Sequence, residues 1–249
     1  MKPKSQKEIE IMREGGRRLA TILSELAELV VPGTTGREIS DIALAKVKKA
    51  DMQPVLIGFQ GYPDVMCISV NDGIVHGIPN KIEFTDGDVV KLDLTLGYKS
   101  LVLDSAITVA VGNSPKGDVK RLVESSKTAL YKGIDAISGE GTRVGDISAA
   151  VQKELERNNL GVIRDLVGHG VGYGIHEDPN IPNYGVKGTG PALMSGMTIA
   201  IEPMAALGGY QIESSNDGWT IMMSDKSLSA HFEHTVLITE NGSEILTTV

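Results

Sequence analysis

The sequence predicts an α/β fold in which two related halves share one sheet, with helices laid over it. Three observations carry this. The stretch GTTGREISDIALAKV (residues 33–47) returns as GTRVGDISAAVQKEL (residues 141–155), an offset of 108 that also takes Ile39 to Ile147 and Ser40 to Ser148. Downstream, DGDVVKLDLT from Asp86 is answered by SGMTIAIEPM from Ser195, with Gly87 matching Gly196 and Asp93 matching Glu202 at an offset of 109. Each half, about residues 1–115 and 116–249, runs helix, helix, then strands. Halves so short and strand-poor suit two units on one sheet better than two separate bodies, so residues 1–249 are expected to form a single domain.

The first element is a helix. Ser5 and Glu8 spell a capping box, and Ile11, Gly15, Leu19, Ile22, Leu26 and Leu29 recur at helical spacing until Val31-Pro32-Gly33 stops it. The repeated stretch supplies the second helix of each half. DVVKLDLTL then alternates with period two: Val90, Leu92, Leu94 and Leu96 share one face, and Lys91, Asp93 and Thr95 the other. In its twin, Ile199 and Ile201 share a face opposite Thr198, Ala200 and Glu202. Two further strands follow, DSAITVAVG opened by Asp104 and EHTVLITENG opened by Glu233.

Each half therefore carries two acids on neighbouring strands, Asp93 with Asp104 and Glu202 with Glu233. A lone Asp in a strand is ordinarily a solvent-facing residue, but an acid kept at matching positions of both halves points to a shared site on the axis relating them. Four ionised carboxylates meeting there repel one another, each pair at about 4 Å by roughly 1 kcal/mol in water and roughly 4 kcal/mol at an effective dielectric of 20. Either they share protons or cations sit among them. Two divalent ions balance the four charges. With one imidazole added, the donor set is hard oxygen plus nitrogen, suited to manganese, iron, cobalt or zinc.

The imidazole comes from GHGVGYGIHEDP (residues 168–179), which holds two of the five histidines. It is not a G-x-G-x-x-G phosphate loop, because the sixth position is Tyr173 or Ile175, and it is not H-E-x-x-H. Its glycines let the backbone carry His169 close to the acids and leave His176 seven residues on, past a bend.

Composition excludes several other classes. A net charge of −8 gains nothing from counterion release, so nucleic acid is not expected as a partner. Lys2, Lys4 and Lys7 are expected to form only a solvated, basic terminus. The single cysteine, Cys67, permits no intrachain disulfide and points to a reducing, cytoplasmic setting. No apolar run reaches membrane-spanning length, and the charged start does not read as a signal peptide. There is no G-x-S-x-G elbow for a serine hydrolase.

Taken together, VNDGIVHGIP with His76, KLDLT with Asp93, LDSA with Asp104, GHGVGYGIHEDP with His169 and His176, GMTIAIEPM with Glu202, and DGWTIMMSDKSLSAHFEHTVLIT with Glu233 resemble the type I methionine aminopeptidases. The resemblance spans essentially the whole chain, in order. It implies the pita-bread fold, with pseudo-twofold halves on a curved, mostly antiparallel sheet. It implies a hydrolase that removes the initiator methionine from peptides and nascent chains before a small second residue. Two divalent ions would be held by Asp93, Asp104, His169, Glu202 and Glu233, with Glu202 as general base and His176 and His76 as the histidines facing the carbonyl and the leaving nitrogen. Phe59, Tyr62, Cys67 and Trp219 would line the methionine pocket, an apolar and aromatic wall suited to a thioether. Leu56 and Ile175 depart from the residues the family often has there.

The resemblance further implies a cytoplasmic monomer working near the ribosome exit region, with Cys67 as a wall residue rather than a nucleophile. Of the remaining histidines, His234 should face away from Glu233 as a structural residue, and His231 is expected at the surface or just behind the metal ligands. The competing readings are a prolidase or proline-specific aminopeptidase, whose extra N-terminal domain finds no room here, and a metal-free pita-bread binding module, which typically lacks ligands that this chain retains.

Overall fold

A computed structural model of the protein describes residues 2–112 and 115–249. The first half contributes α1 (Gln6–Ala27), α2 (Gly36–Lys49), a 3-10 turn at Phe59–Gly61, and strands β1 (Cys67–Val70), β2 (Gly73–Val75), β3 (Val89–Tyr98) and β4 (Leu101–Ala110). The second contributes α3 (Gly117–Asp135), α4 (Val144–Arg157), β5 (Gly161–Val162), β6 (Val167–Gly170), β7 (Glu177–Pro182), β8 (Thr198–Ile201), β9 (Met204–Ala206) and β10 (Ile212–Ser214). The chain closes with β11 (Ile221–Met223), β12 (Ser229–His231), β13 (Glu233–Thr239) and β14 (Gly242–Ile245).

The main sheet has the order β1-β3-β4-β13-β8-β6-β7, with β14 paired to β13, and its pairings are antiparallel. Outward from the β4·β13 seam the order reads alike: β4, β3, β1 on one side and β13, β8, β6 on the other. The helices α2 and α4 have the same 14-residue length and start 108 residues apart. Their core positions correspond as well: Ile39 with Ile147 and Ser40 with Ser148 are all buried.

The capping box predicted for α1 is present, but the helix ends at Ala27, earlier than Val31. The amides of Leu29, Val30 and Val31 turn back onto the carbonyls of Leu26, Ala27 and Leu29, so the chain has left the helix before the proline is reached. Likewise β4 begins at Leu101, which places Asp104 inside the strand rather than at its start. These are end effects, where fraying and tertiary contacts override a local stop signal.

Along β3 the period-two pattern holds. Val90, Leu92, Leu94 and Leu96 pack against Leu19, Leu26, Ile39 and Val47 of the overlying helices. The other face does not meet solvent. Lys91 and Thr95 are buried and Asp93 half-buried, because the small sheets β12-β9-β5 and β10-β11-β2 cover this side. Lys91 donates its buried ammonium to the carbonyls of Asn71 (2.8 Å) and Val89 (3.1 Å). The second half repeats the arrangement with Leu130, Ile134, Ile147, Ile199, Ile201, Val236 and Ile238.

At the seam, β4 and β13 share only two register pairs, Glu233 with Ala106 and His234 with Ser105. Hydroxyls extend the join. Asp104 N–H donates to Thr235 Oγ1 (3.0 Å), which donates to the Asp104 carbonyl (2.7 Å). Ser105 Oγ donates to the Glu233 carbonyl (2.8 Å), and Thr108 Oγ1 exchanges bonds with the backbone of His231 (2.6 and 2.9 Å). Thr235→Val keeps the shape and removes the buried donor and acceptor. Denaturant titration should show a loss of about 1–3 kcal/mol with an unchanged m value; unchanged stability would mean these hydroxyls do not hold the seam.

Candidate active site

The five sequence-predicted donors meet at the seam, on the face of the sheet away from the long helices. Asp93 stands on β3 opposite Cys67, and Asp104 on β4 opposite Thr95. Glu233 opens β13, Glu202 lies one residue past β8, and His169 sits on β6 opposite Ala200. Gly168 permits this last approach, since a Cβ there would come within 2.4 Å of the Ala200 carbonyl. Asp104, His169 and Glu233 each offer a ligand atom within 4.8 Å of the others. His169 Nε2 is 3.3 Å from Glu202 Oε1. Asp93 and all the others line one cavity of about 330 Å³.

The electrostatics are those of charges withdrawn from water. Burial pushes Asp93, Glu202 and Glu233 well above the ordinary carboxylate range, and their proximity to Asp104 and to one another adds to it. Asp104 is raised by burial to about 7, although Thr95 Oγ1 donates to its Oδ1 (2.8 Å) and opposes the shift. Glu233 Oε1 has no hydrogen-bond partner among the described residues. His169 is pulled down to about 4, first by burial, so its ring is neutral. Its Nδ1 sits 2.9 Å from the Gly170 carbonyl, the arrangement that leaves the Nε2 lone pair directed at the acids. An unsatisfied buried carboxylate oxygen beside a neutral, oriented imidazole fits a divalent cation.

The remaining predicted residues ring the same cavity. Phe59, Tyr62, Cys67 and Trp219 form part of its wall together with Leu56 and Ile175. The Tyr62 and Trp219 rings meet edge to face at 5.2 Å, and Tyr62 donates its hydroxyl to the Gly77 carbonyl (2.9 Å). Cys67 is buried in β1, and burial raises its thiol, which keeps it a wall residue rather than a nucleophile. His176 stands at the mouth, its ring 4.5 Å from that of His169 and 5.7 Å from Phe59. Solvent reaches His76, yet the surrounding walls lower its pKa. Its backbone takes φ +58, an uncommon conformation outside glycine that aims the ring into the cleft mouth.

One two-sided expectation is decided, one placement differs from expectation and one residue was missed. Of the two placements expected for His231, the structure shows the one behind the ligands: it is buried, with Nε2 3.4 Å from Glu202 Oε2. Lys4 is not solvated: its ammonium donates to the Val171 carbonyl (3.0 Å), lies 3.8 Å from Glu177 and stacks 4.5 Å from the Tyr173 ring. It thus ties the chain's start to the loop that carries His176. Thr95, the partner of Asp104, was detectable, since it shares Asp93's strand face. His234 faces the opposite side of the sheet, against Tyr131 and Thr247, as expected.

The chain belongs to metallopeptidase family M24, whose model matches residues 10–240. Among its relatives, methionine aminopeptidase of Clostridium perfringens is 41% identical over 99% of this chain and 98% of its own length. Methionine aminopeptidase 1 of Bacillus subtilis is also 41% identical, with the same coverage. In structure the chain is similar to methionine aminopeptidase from Thermotoga maritima, with a TM-score of 0.97, 44% identity and full coverage of both chains. A prolidase from Pyrococcus furiosus shares the fold at a TM-score of 0.78 and 24% identity; it is matched over 99% of this chain but only 65% of its own. The architecture is the pita-bread fold, and divalent metal belongs to its chemistry.

A raised folded-state pKa means that the protonated acid favours folding. For Asp104 that contribution is complete below its ordinary value of 3.8 and is lost as pH rises through about 7. In chelator, Asp104→Asn should therefore stabilise the metal-free protein at pH 7 and leave it nearly unchanged at pH 4, read from denaturation midpoints. Destabilisation at pH 7 would overturn this electrostatic picture.

Proposed function

We propose that this chain is a metal-dependent aminopeptidase that removes an N-terminal methionine, with a small second residue preferred. The observation that carries this is four acids and a neutral imidazole converging in a cavity whose other wall is apolar and aromatic. Full-length relatives that bear the methionine aminopeptidase name support it. Asp93, Asp104, His169, Glu202 and Glu233 would hold two divalent cations, drawn from manganese, iron, cobalt and zinc. When bound, such ions supply Lewis acidity and an activated water for attack on an amide carbonyl.

The chain's own residues do the rest. Phe59, Tyr62, Cys67 and Trp219 receive the thioether side chain and exclude water from it. Glu202, ionised once positive charge is present, takes the proton of the attacking water and returns it to the leaving amine. His176, at the mouth beside His169, donates to the substrate carbonyl oxygen, and His76 faces the leaving nitrogen. The substrates are peptides and nascent chains, met at the ribosome exit region by a cytoplasmic monomer. The prolidase reading is less well supported: full-length relatives at 41% identity bear the methionine aminopeptidase name, whereas the prolidase shares the fold at 24% identity.

The test is methionine release from Met-Ala-Ser with cobalt or manganese added. Glu202→Ala should lower turnover by about 10³-fold or more, since it removes both a ligand and the base. His176→Ala should lower kcat by about 10²-fold while calorimetric metal affinity stays within about threefold. Absence of turnover by the unmodified chain under any divalent ion would favour a binding module instead.

A further inference from the structure

His231 is the histidine that the reading above leaves without a task. It is 1% exposed, and neither ring nitrogen has a hydrogen-bond partner among the described residues. A polar group buried in that way ordinarily destabilises a fold, so its position calls for a cause. The backbone fixes where the ring points: His231 pairs with Met204 across β12 and β9, and its N–H and carbonyl are both bonded to Thr108 Oγ1. The ring is aimed into the cavity that holds the acids.

Its surroundings narrow the role. Besides Glu202, the ionisable groups acting on the ring are His76, Lys91 and His169. The acceptor it meets is Glu202, whose Oε2 lies 3.4 Å from His231 Nε2 while Oε1 lies 3.3 Å from His169 Nε2. The carboxylate is thus bracketed by two imidazoles. His169 has its Nδ1 at the Gly170 carbonyl and presents a lone pair, whereas His231 has both nitrogens free to serve as donor.

We propose that His231 is a positioning residue for Glu202: its Nε2–H donates to Oε2 and fixes the plane of the carboxylate, leaving Oε1 on the His169 side for the reaction. This rests on the aminopeptidase reading and specifies how the base of that site is held. An imidazole buried with Nδ1 unpaired and one long contact at Nε2 is then retained for activity at the expense of stability, a trade found where active sites keep groups the fold does not need.

His231→Leu and His231→Gln separate this role from a structural or ligand role. Metal-free His231→Leu should melt at or above the temperature of the unmodified protein, because an apolar side chain of similar size replaces a buried ring whose Nδ1 is unpaired and whose Nε2 contact is long. With Met-Ala-Ser and cobalt, its kcat should fall about 10- to 100-fold while KM and the calorimetric cobalt Kd stay within about threefold. His231→Gln, which keeps an N–H donor, should return kcat to within about threefold of the unmodified enzyme. The inference is overturned by a His231→Leu variant that melts several degrees lower, fails to fold or retains normal kcat. A Gln variant no better than Leu also overturns it, as does cobalt affinity lost about tenfold, which would make His231 a ligand. Turnover by the unmodified enzyme tests the aminopeptidase reading itself, and the metal-free melt decides the stability claim without any turnover.

Discussion

Mutual repulsion among four carboxylates largely withdrawn from water is the constraint from which the rest of this structure follows. Asp93, Asp104, Glu202 and Glu233 each stand in the others' fields inside a cavity that denies them water, and burial drives all four toward the protonated form. A fold that spends core-grade strands on such an arrangement needs positive charge from outside the chain, since the nearby imidazoles are held neutral. His169 is depressed to about 4 and His231 to about 3, so neither offsets the acids near neutral pH.

The two halves explain how the acids come to meet. Antiparallel strands from each half abut at β4·β13, and the sheet order is the same outward in both directions. Asp104 and Glu233 occupy the central strands, Asp93 and the residue after β8 the next pair, and the third pair carries Cys67 on one side and His169 on the other. The seam itself is short in main-chain bonds and is completed by Ser105, Thr108 and Thr235. The residues that join the halves therefore neighbour the acids: Thr235 bonds the backbone of Asp104, and Ser105 that of Glu233. Stability and site geometry are set by the same contacts.

Much of this was legible in the residues. The offset of 108 located both second helices, and the period-two run around Asp93 gave the strand and the face of the acid, because repeats and strand alternation are local signals. The burial of that face was not legible, since what covers β3 are short strands from elsewhere in the chain. Lys4 escaped for the same reason, and the same gap left His231 open between the surface and a place behind the ligands. For His231 the sequence offers both places, and only β12 laid over the acids decides between them. Lys4 reads as a terminal charge until the loop 171–177 closes on it, where Gly172 at φ +138 leaves room for its side chain. Long-range packing of single side chains leaves no period in a sequence.

The most direct test of the central claim is an anomalous-difference map from crystals grown with manganese or cobalt. Two separate peaks should lie among the carboxylate oxygens of Asp93, Asp104, Glu202 and Glu233 and the Nε2 of His169. A map with no peak among those side chains, or with the ions bound elsewhere, would contradict the account.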